Sequence, residues 1–130
     1  MSRALWQKLG YRRGMVACLD EAPDGYRTLL RGLPQDVRLD GTLDDSPKLI
    51  HHFTTEAAGL RARLAIFADA IPRNGAIWVS WPKGASKVPT DMSGDAVRAA
   101  ALPLGLVDVK VASVDATWTA MKLVIRKENR

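Results

Sequence analysis

The chain has 130 residues, of which 47% are hydrophobic and 25% charged, with a formal net charge of +5 at pH 7. This length and apolar content predict one folded domain whose core needs no disulfide or metal. The longest stretches without Asp, Glu, Lys or Arg are 74–82 and 99–107, which are too short for a membrane-spanning helix. No apolar run follows the N-terminal charges, so we expect no secretory signal and a cytoplasmic location.

The first half of the chain predicts three strands and one short helix. Residues 1–13 are expected to form an N-terminal arm or short helix, and residues 14–130 a sheet with its helices. A helix opens after Pro23, with Asp24 as its cap and a proline at 34 ending it. The predicted strands are the apolar or β-favouring runs Met15–Leu19, Val37–Leu39 and Leu49–Phe53.

The second half predicts two helices and three strands. Apolar residues spaced by four, three and four positions indicate an amphipathic helix over about 56–71, capped by Thr54 or Thr55. A second helix is expected over 94–102. The predicted strands are Ala76–Trp81, Leu106–Val114 and Ala120–Arg126, and the short link between the last two indicates an antiparallel hairpin.

This order of elements predicts an α/β domain of three layers, with a mostly parallel, twisted sheet between helices. The segment IPRNGAIWVSW, a helix and then GLVDVKVASVDATWTAMKLVIRK resemble the ending of class I methyltransferases, which have a Rossmann-like fold. That resemblance implies that the sixth strand is inserted, antiparallel, between the fourth and the fifth. The expected sheet therefore has six strands in the order 2-1-3-4-6-5.

Four segments resemble the bacterial domain-of-unknown-function family 3052, and together they span nearly the whole chain. They are KLGYRRGM, APDGY, WVSWPKGASKVPTDMS and GLVDVKVASVDATWTAMKLVIRK, whereas Gly84, Gly94 and Pro103 depart from the family's pattern. The resemblance implies a small cytoplasmic protein. It carries no established activity, so it assigns no catalytic residue.

Polar side chains follow the ends of the predicted parallel strands, where ligands bind in open α/β sheets. The segment WPKGASK, which begins at Trp81, places two lysines and a hydroxyl ahead of a helix, an arrangement that favours a phosphate or carboxylate. Helix caps and turns also favour Ser, Thr and Asp at such places, so a purely structural role stays open. The candidate ligand-binding residues are Lys83, Ser86, Lys87, Thr90, Asp91, Asp115, Trp118 and Asp24.

The turn after the first strand argues against binding of S-adenosylmethionine. Such a cofactor needs a glycine-rich turn that its atoms can approach closely. Here the turn reads DEAPDG from Asp20, with one proline and only one glycine. We therefore expect the ancestral fold without its usual cofactor, and no other cofactor is indicated.

Other functional classes receive little support from the sequence. His51 and His52 are neighbours on a strand and should point to opposite faces, so no metal site is expected. Cys18 is interpreted as a buried structural thiol, and no serine lies in a nucleophile-elbow motif. The basic charge is scattered and aromatics are few, which does not favour nucleic-acid binding.

Three functional hypotheses remain from the sequence. The first is a noncatalytic methyltransferase-like domain that binds a small anionic ligand or a protein partner at the C-terminal edge of the sheet. The second is a divergent transferase that uses Asp115 or Asp91 as a base and the two lysines as anion clamps. The third is weak association with nucleic acid through the basic termini. The sequence leaves the catalytic residues, the ligand and the oligomeric state open.

Overall fold

The structure is a computed structural model that describes residues 3–130, so the first two residues of the predicted N-terminal arm lie outside it. Four short 3-10 turns accompany the regular elements. In chain order, the helices and strands are α1 (Leu5–Lys8), β1 (Ala17–Asp20), α2 (Tyr26–Leu29), β2 (Leu49–Phe53), α3 (Leu60–Ala70), β3 (Ala76–Pro82), α4 (Gly94–Ala101), β4 (Leu106–Ser113) and β5 (Trp118–Ile125).

The five strands form one mixed sheet in the order β1-β2-β3-β5-β4. β1, β2 and β3 run parallel, and β5 runs antiparallel to both of its neighbours. The last strand of the chain therefore lies inside the sheet, between β3 and β4. A register shift between Asp108 and Lys110 interrupts the ladder between β4 and β5.

The predicted six-stranded sheet and its order are wrong, because the expected second strand does not form. Only two isolated bridges join this segment to β1, one from Arg38 and one from Asp40. A turn closes immediately before it, with Val37 donating to the Pro34 carbonyl. Gly41 then turns the chain back onto β1 by donating to the Ala17 carbonyl. The few residues between these two turns are too short a segment for a parallel ladder.

Both predicted caps of the earlier helices are also wrong. α2 is a single turn that begins after Gly25, whose φ of 88° replaces a side-chain cap, so Asp24 caps nothing. α3 begins after Gly59, which also has a positive φ, rather than near Thr54. The Thr54 hydroxyl instead accepts a hydrogen bond from the Glu56 amide in the preceding turn. In both cases the left-handed conformation that glycine tolerates starts the helix.

Apolar side chains cover both faces of the sheet. α3 and α4 pack on one face, which we call the α3–α4 face, through buried Leu64, Phe67 and Val97. The opposite face, the α1–α2 face, is covered by the N-terminal segment and α2, with Leu9 and Tyr26 buried against Trp78. No helix within residues 3–130 is long and apolar enough to cross a membrane.

Replacing Gly41 with Ala tests the turn that ends the failed second strand. A methyl group there would lie 2.5 Å from Val16 Cγ1 and 2.8 Å from the Ala17 carbonyl oxygen. We expect Gly41→Ala to lower the free energy of unfolding by about 1–3 kcal/mol, measured by urea denaturation. Gly84→Ala is the matched control, since its methyl would meet no described atom within 4 Å. Equal stability of the two variants would contradict this account.

Candidate functional site

Four chain segments meet at the C-terminal edge of the sheet. The parallel strands end there at Asp20, Phe53 and Pro82. The turn between β4 and β5 lies at the same edge, because Trp118 at the start of β5 pairs with Pro82. Most of the candidate residues from the sequence therefore lie on loops at this edge of the sheet, and Trp118 begins β5 there. Most of their polar side chains are already hydrogen-bonded within or between these loops.

The lysine loop, residues 83–87, is a tight turn with two basic side chains. Lys83 Nζ donates to Ser113 Oγ at 2.6 Å, which holds the amine against the end of β4. Ser86 Oγ donates to the Lys83 carbonyl at 2.6 Å and accepts from the Val88 amide, so this hydroxyl closes the turn. Lys87 is exposed, in a left-handed conformation with φ of 61°. Two ammonium groups thus remain near the edge, while the serine serves the loop.

Thr90 and Asp91 tie the loop after β3 to the loop after β2. Thr90 Oγ1 donates to the Thr55 carbonyl at 2.6 Å. Asp91 Oδ1 accepts from the Ala57 amide at 2.8 Å. These two hydrogen bonds fix the loop after β3 to the loop after β2 and so set the distance between the two loops.

Asp115 and Trp118 shape the hairpin, and Asp24 lies apart from them. Asp115 Oδ1 accepts from the amides of Thr117 and Trp118, both at 2.8 Å, as turn-stabilising aspartates do. The Trp118 ring is partly buried and packs edge-on against Phe53, with centroids 5.2 Å apart. Asp24 is exposed in the turn after β1, on the α2 side.

The sequence did not identify a cluster that joins β1, β2 and α3. Asp20 accepts hydrogen bonds from His52 Nδ1 at 2.7 Å and from Arg63 Nη2 at 2.8 Å. The Arg63 guanidinium also lies over the Phe67 ring, 5.1 Å from its centroid. The pairing of Asp20 with His52 across β1 and β2 produces this contact, and it could not be deduced before the register was known.

An open groove lies beside this cluster, between the ends of β1 and β2. The chain leaves β1 toward the α1–α2 face of the sheet and leaves β2 toward the α3–α4 face. The hollow measures about 510 Å³ and is lined by Asp20, Glu21, His52, Glu56 and Arg63, among others. A second hollow of about 310 Å³ adjoins it, and Glu21 and Glu56 line this one as well. Ligands of open α/β folds bind in such a crevice.

The other histidine belongs to a buried chain of hydrogen bonds on the α1–α2 face. Ser80 Oγ contacts His51 Nε2 at 2.6 Å, and His51 Nδ1 contacts the Tyr26 hydroxyl at 2.6 Å. The Tyr26 hydroxyl in turn contacts that of Tyr11 at 2.9 Å. Burial raises the pKa of both tyrosines far above the usual value. We call these residues the buried chain; it holds the N-terminal segment and α2 on the sheet.

The expectation that the two histidines point to opposite faces is confirmed, since His51 stacks on Phe53 and His52 lies against Phe67. Among residues 3–130 no group of three or more His, Cys, Asp or Glu side chains is arranged to hold a metal ion. Cys18 is partly rather than fully buried. Burial, with the charge of Asp20, raises the pKa of its thiol, which makes it a poor nucleophile at neutral pH.

Comparisons with known proteins show the fold. The chain is similar to a protein assigned as a type 11 methyltransferase from Sulfolobus solfataricus, with a TM-score of 0.67 and 9% identity over 95% of this chain and 90% of that one. It is also similar to a TehB-like SAM-dependent methyltransferase from Corynebacterium glutamicum, with a TM-score of 0.57 and 14% identity over 95% and 86%. A protein assigned as a methyltransferase from Thermoplasma acidophilum is similar as well, with a TM-score of 0.53 and 10% identity over 91% of this chain and 71% of that one.

These neighbours are class I methyltransferases, so the chain has the Rossmann-like fold of that class. No family model and no curated protein matches the chain. The resemblance to family 3052 is therefore not confirmed. Identities of 9–14% establish a shared backbone arrangement and do not transfer a function.

The buried His51 predicts how stability depends on pH. Burial, and secondarily the neighbouring His52, lowers the pKa of His51 from 6.5 to about 3. Below pH 6.5, His51 becomes protonated in the unfolded chain but stays neutral in the folded protein. We therefore expect the free energy of unfolding to fall with decreasing pH, by up to about 1.4 kcal/mol per pH unit between about pH 6.5 and 5.

Urea denaturation at about pH 7.5, 6 and 5 measures this slope. The window stays above about pH 5, where most carboxylates are still ionised. A His51→Gln variant should retain only a small part of the slope, owing to His52, whose pKa burial also lowers. A wild-type protein that is equally stable at all three pH values would show that His51 is not held neutral.

Proposed function

We propose that this chain is a cytoplasmic, methyltransferase-like binding domain that does not catalyse methyl transfer. It binds a small anionic ligand or a protein partner at the C-terminal edge of its sheet. The observation that carries this proposal is the turn after β1. In that turn Glu21 has a φ of 59°, Pro23 removes an amide donor, and Gly25 starts a helix of only four residues.

The contacts made directly after the β1 turn also argue against binding of S-adenosylmethionine. A cofactor cradle needs free backbone amides at the start of a long helix, and α2 is a single turn. Tyr26, its first residue, is 1% exposed and is held by His51.

The hydrogen bonds at the edge favour a binding role over the divergent transferase. Both carboxylates that could serve as a base, Asp91 and Asp115, accept backbone amides and hold their loops together. Each carboxylate is fixed to a loop through its Oδ1 atom, whereas a general base has to be positioned within reach of a substrate proton. Neither loop contact has to break for the edge to bind a ligand.

The lysine loop supports the anionic part of the proposal. Lys83 is positioned by Ser113, and an ammonium group has three donors, so two remain for a phosphate or carboxylate. Lys87 is exposed four residues further on. We assign the anion to these two side chains, because neither ammonium group takes part in the hydrogen bonds that close the turn.

A thermal-shift experiment with S-adenosylmethionine tests the proposed loss of the cofactor. A ligand present at a hundred times its dissociation constant stabilises a protein by about 2.7 kcal/mol, which raises the Tm by several degrees. We expect no change in Tm at millimolar S-adenosylmethionine. The Corynebacterium glutamicum neighbour, named as SAM-dependent, serves as the positive control. A saturable rise in Tm would overturn the proposal.

A pair of substitutions tests the lysine loop. Lys83→Ala combined with Lys87→Ala should abolish binding of inorganic phosphate, measured by calorimetry at low salt, while the urea midpoint stays unchanged. Lys48→Ala with Lys127→Ala is the control, because it removes the same charge from exposed sites elsewhere. Equal loss in both variants would mean that phosphate responds only to the net charge of the protein.

A further inference from the structure

Two adjoining hollows form a cleft at the N-terminal edge of the sheet, opposite the edge that carries the loops after the parallel strands. They measure about 240 and 350 Å³ and share Arg12, Met15 and Lys48. The first residues of β2 and β3, Leu49 and Ala76, line the first hollow, and the segment between α1 and β1 lines both. We call the two hollows together the basic cleft.

The basic cleft holds positive charge that no carboxylate balances. Arg12, Lys48 and Lys122 line the first hollow, and its lining includes no acidic side chain. Within residues 3–130 none of these three cations makes an ion pair. The acid that lines the second hollow, Asp45, already accepts hydrogen bonds from the amide and the hydroxyl of Thr42. The positive charge of the cleft is therefore available to a ligand.

The ammonium group of Lys122 is held in the first hollow although this position is unfavourable for its charge. Lys122 is partly buried on the α1–α2 face, because it pairs with Trp78 across β5 and β3. Its Nζ lies beside Gly10, 3.8 Å from the position that a β-carbon of that residue would take. Burial, and secondarily the charges of Lys110 and Arg12, lowers the pKa of Lys122. Like charges held together in a partly desolvated place destabilise the folded chain, and a bound anion would relieve this repulsion.

We propose that the basic cleft binds an acidic segment of a partner protein, in which several carboxylates follow one another along an extended chain. The carboxylates accept charge-assisted hydrogen bonds from Arg12, Lys48 and Lys122. The apolar side chains of Leu9 and Met15, which also line the cleft, contact the aliphatic parts of the acidic residues. This site lies at the opposite end of the sheet from the lysine loop and does not depend on it.

The spread of the cations favours an extended partner over a single phosphate. Lys48 directly precedes β2 and Lys122 lies in β5, and β3 runs between these two strands. Neighbouring strands are about 4.8 Å apart, so the backbones of the two lysines are separated by at least about 10 Å. A run of carboxylates can pair with cations along this distance, whereas one phosphate gains from only part of them.

The lining of the basic cleft favours a protein over a nucleic acid. Proteins that bind single-stranded nucleic acid stack its bases on exposed aromatic side chains. Among the described residues, no aromatic side chain lines either hollow. Carboxylates on flexible aliphatic stems need no such stacking surface, so an acidic peptide matches both the charge and the apolar walls of the cleft.

Fluorescence anisotropy of a labelled hexaglutamate peptide, titrated with the whole chain at low salt, tests the proposal. We expect saturable binding that weakens as salt is added and that hexaglutamine does not show. Arg12→Gln with Lys122→Met should weaken hexaglutamate binding about tenfold, because two charge-assisted contacts are lost. Arg31→Gln with Arg61→Gln is the matched control, since it removes the same charge from exposed sites outside both hollows and should change the affinity less than about twofold.

Lys122→Met alone provides a readout that a general loss of charge does not move. Methionine keeps most of the length of the side chain and removes its uncompensated charge, so we expect the urea midpoint without peptide to rise. Hexaglutamate should then raise the Tm of the wild type more than that of the variant. A variant that is less stable than the wild type and binds the peptide equally well would contradict the assigned role of Lys122 and overturn the site.

The remaining outcomes separate this site from the proposed function. Equal weakening by the cleft variant and the arginine control, or no binding of hexaglutamate, would overturn the acidic-partner site. Loss of peptide binding only in Lys83→Ala with Lys87→Ala would place the peptide on the lysine loop, which overturns this inference and supports the proposed function. Loss of phosphate but not of peptide binding in that loop variant supports both sites.

Discussion

The hydrogen bond between the Tyr26 hydroxyl and His51 is the interaction on which the rest of the edge depends. It joins the first residue of α2 to the centre of the sheet, and the buried chain extends it to Ser80 and Tyr11. Both nitrogens of His51 have partners inside the protein, which a fully buried ring requires. Because Tyr26 is fixed in this way, the start of α2 is held against the sheet directly after the exposed turn that follows β1.

The two sides of the C-terminal edge carry opposite charges, because different charged side chains remain available on each side. On the β3 side the polar groups Ser86 and Asp91 are used within and between loops, and the two lysines remain available. On the β1 side Arg63 is neutralised by Asp20, and the acidic side chains remain available.

The sequence predicted much of the fold from local signals. The antiparallel hairpin follows from the short link between its strands, β2 from a run of β-favouring residues, and the apolar stripe of α3 from its spacing. The second strand could not be excluded, because whether Val37–Leu39 pairs depends on turns at Pro34 and Gly41 that close only in three dimensions. The site was harder still, since the contact of Asp20 with His52 depends on the register between β1 and β2.

The stability of the fold does not come from the turn after β1. Each face of the sheet has its own apolar cluster, with the β3 side chains Ile77 and Trp78 fully buried on opposite faces. Throughout the described residues, no side-chain nitrogen or oxygen shielded from solvent lacks a partner. The turn after β1 therefore contributes little to the core, and its residues can vary while the sheet keeps its shape. The shared fold for this reason constrains the groups at the edge of the sheet much less than it constrains the core.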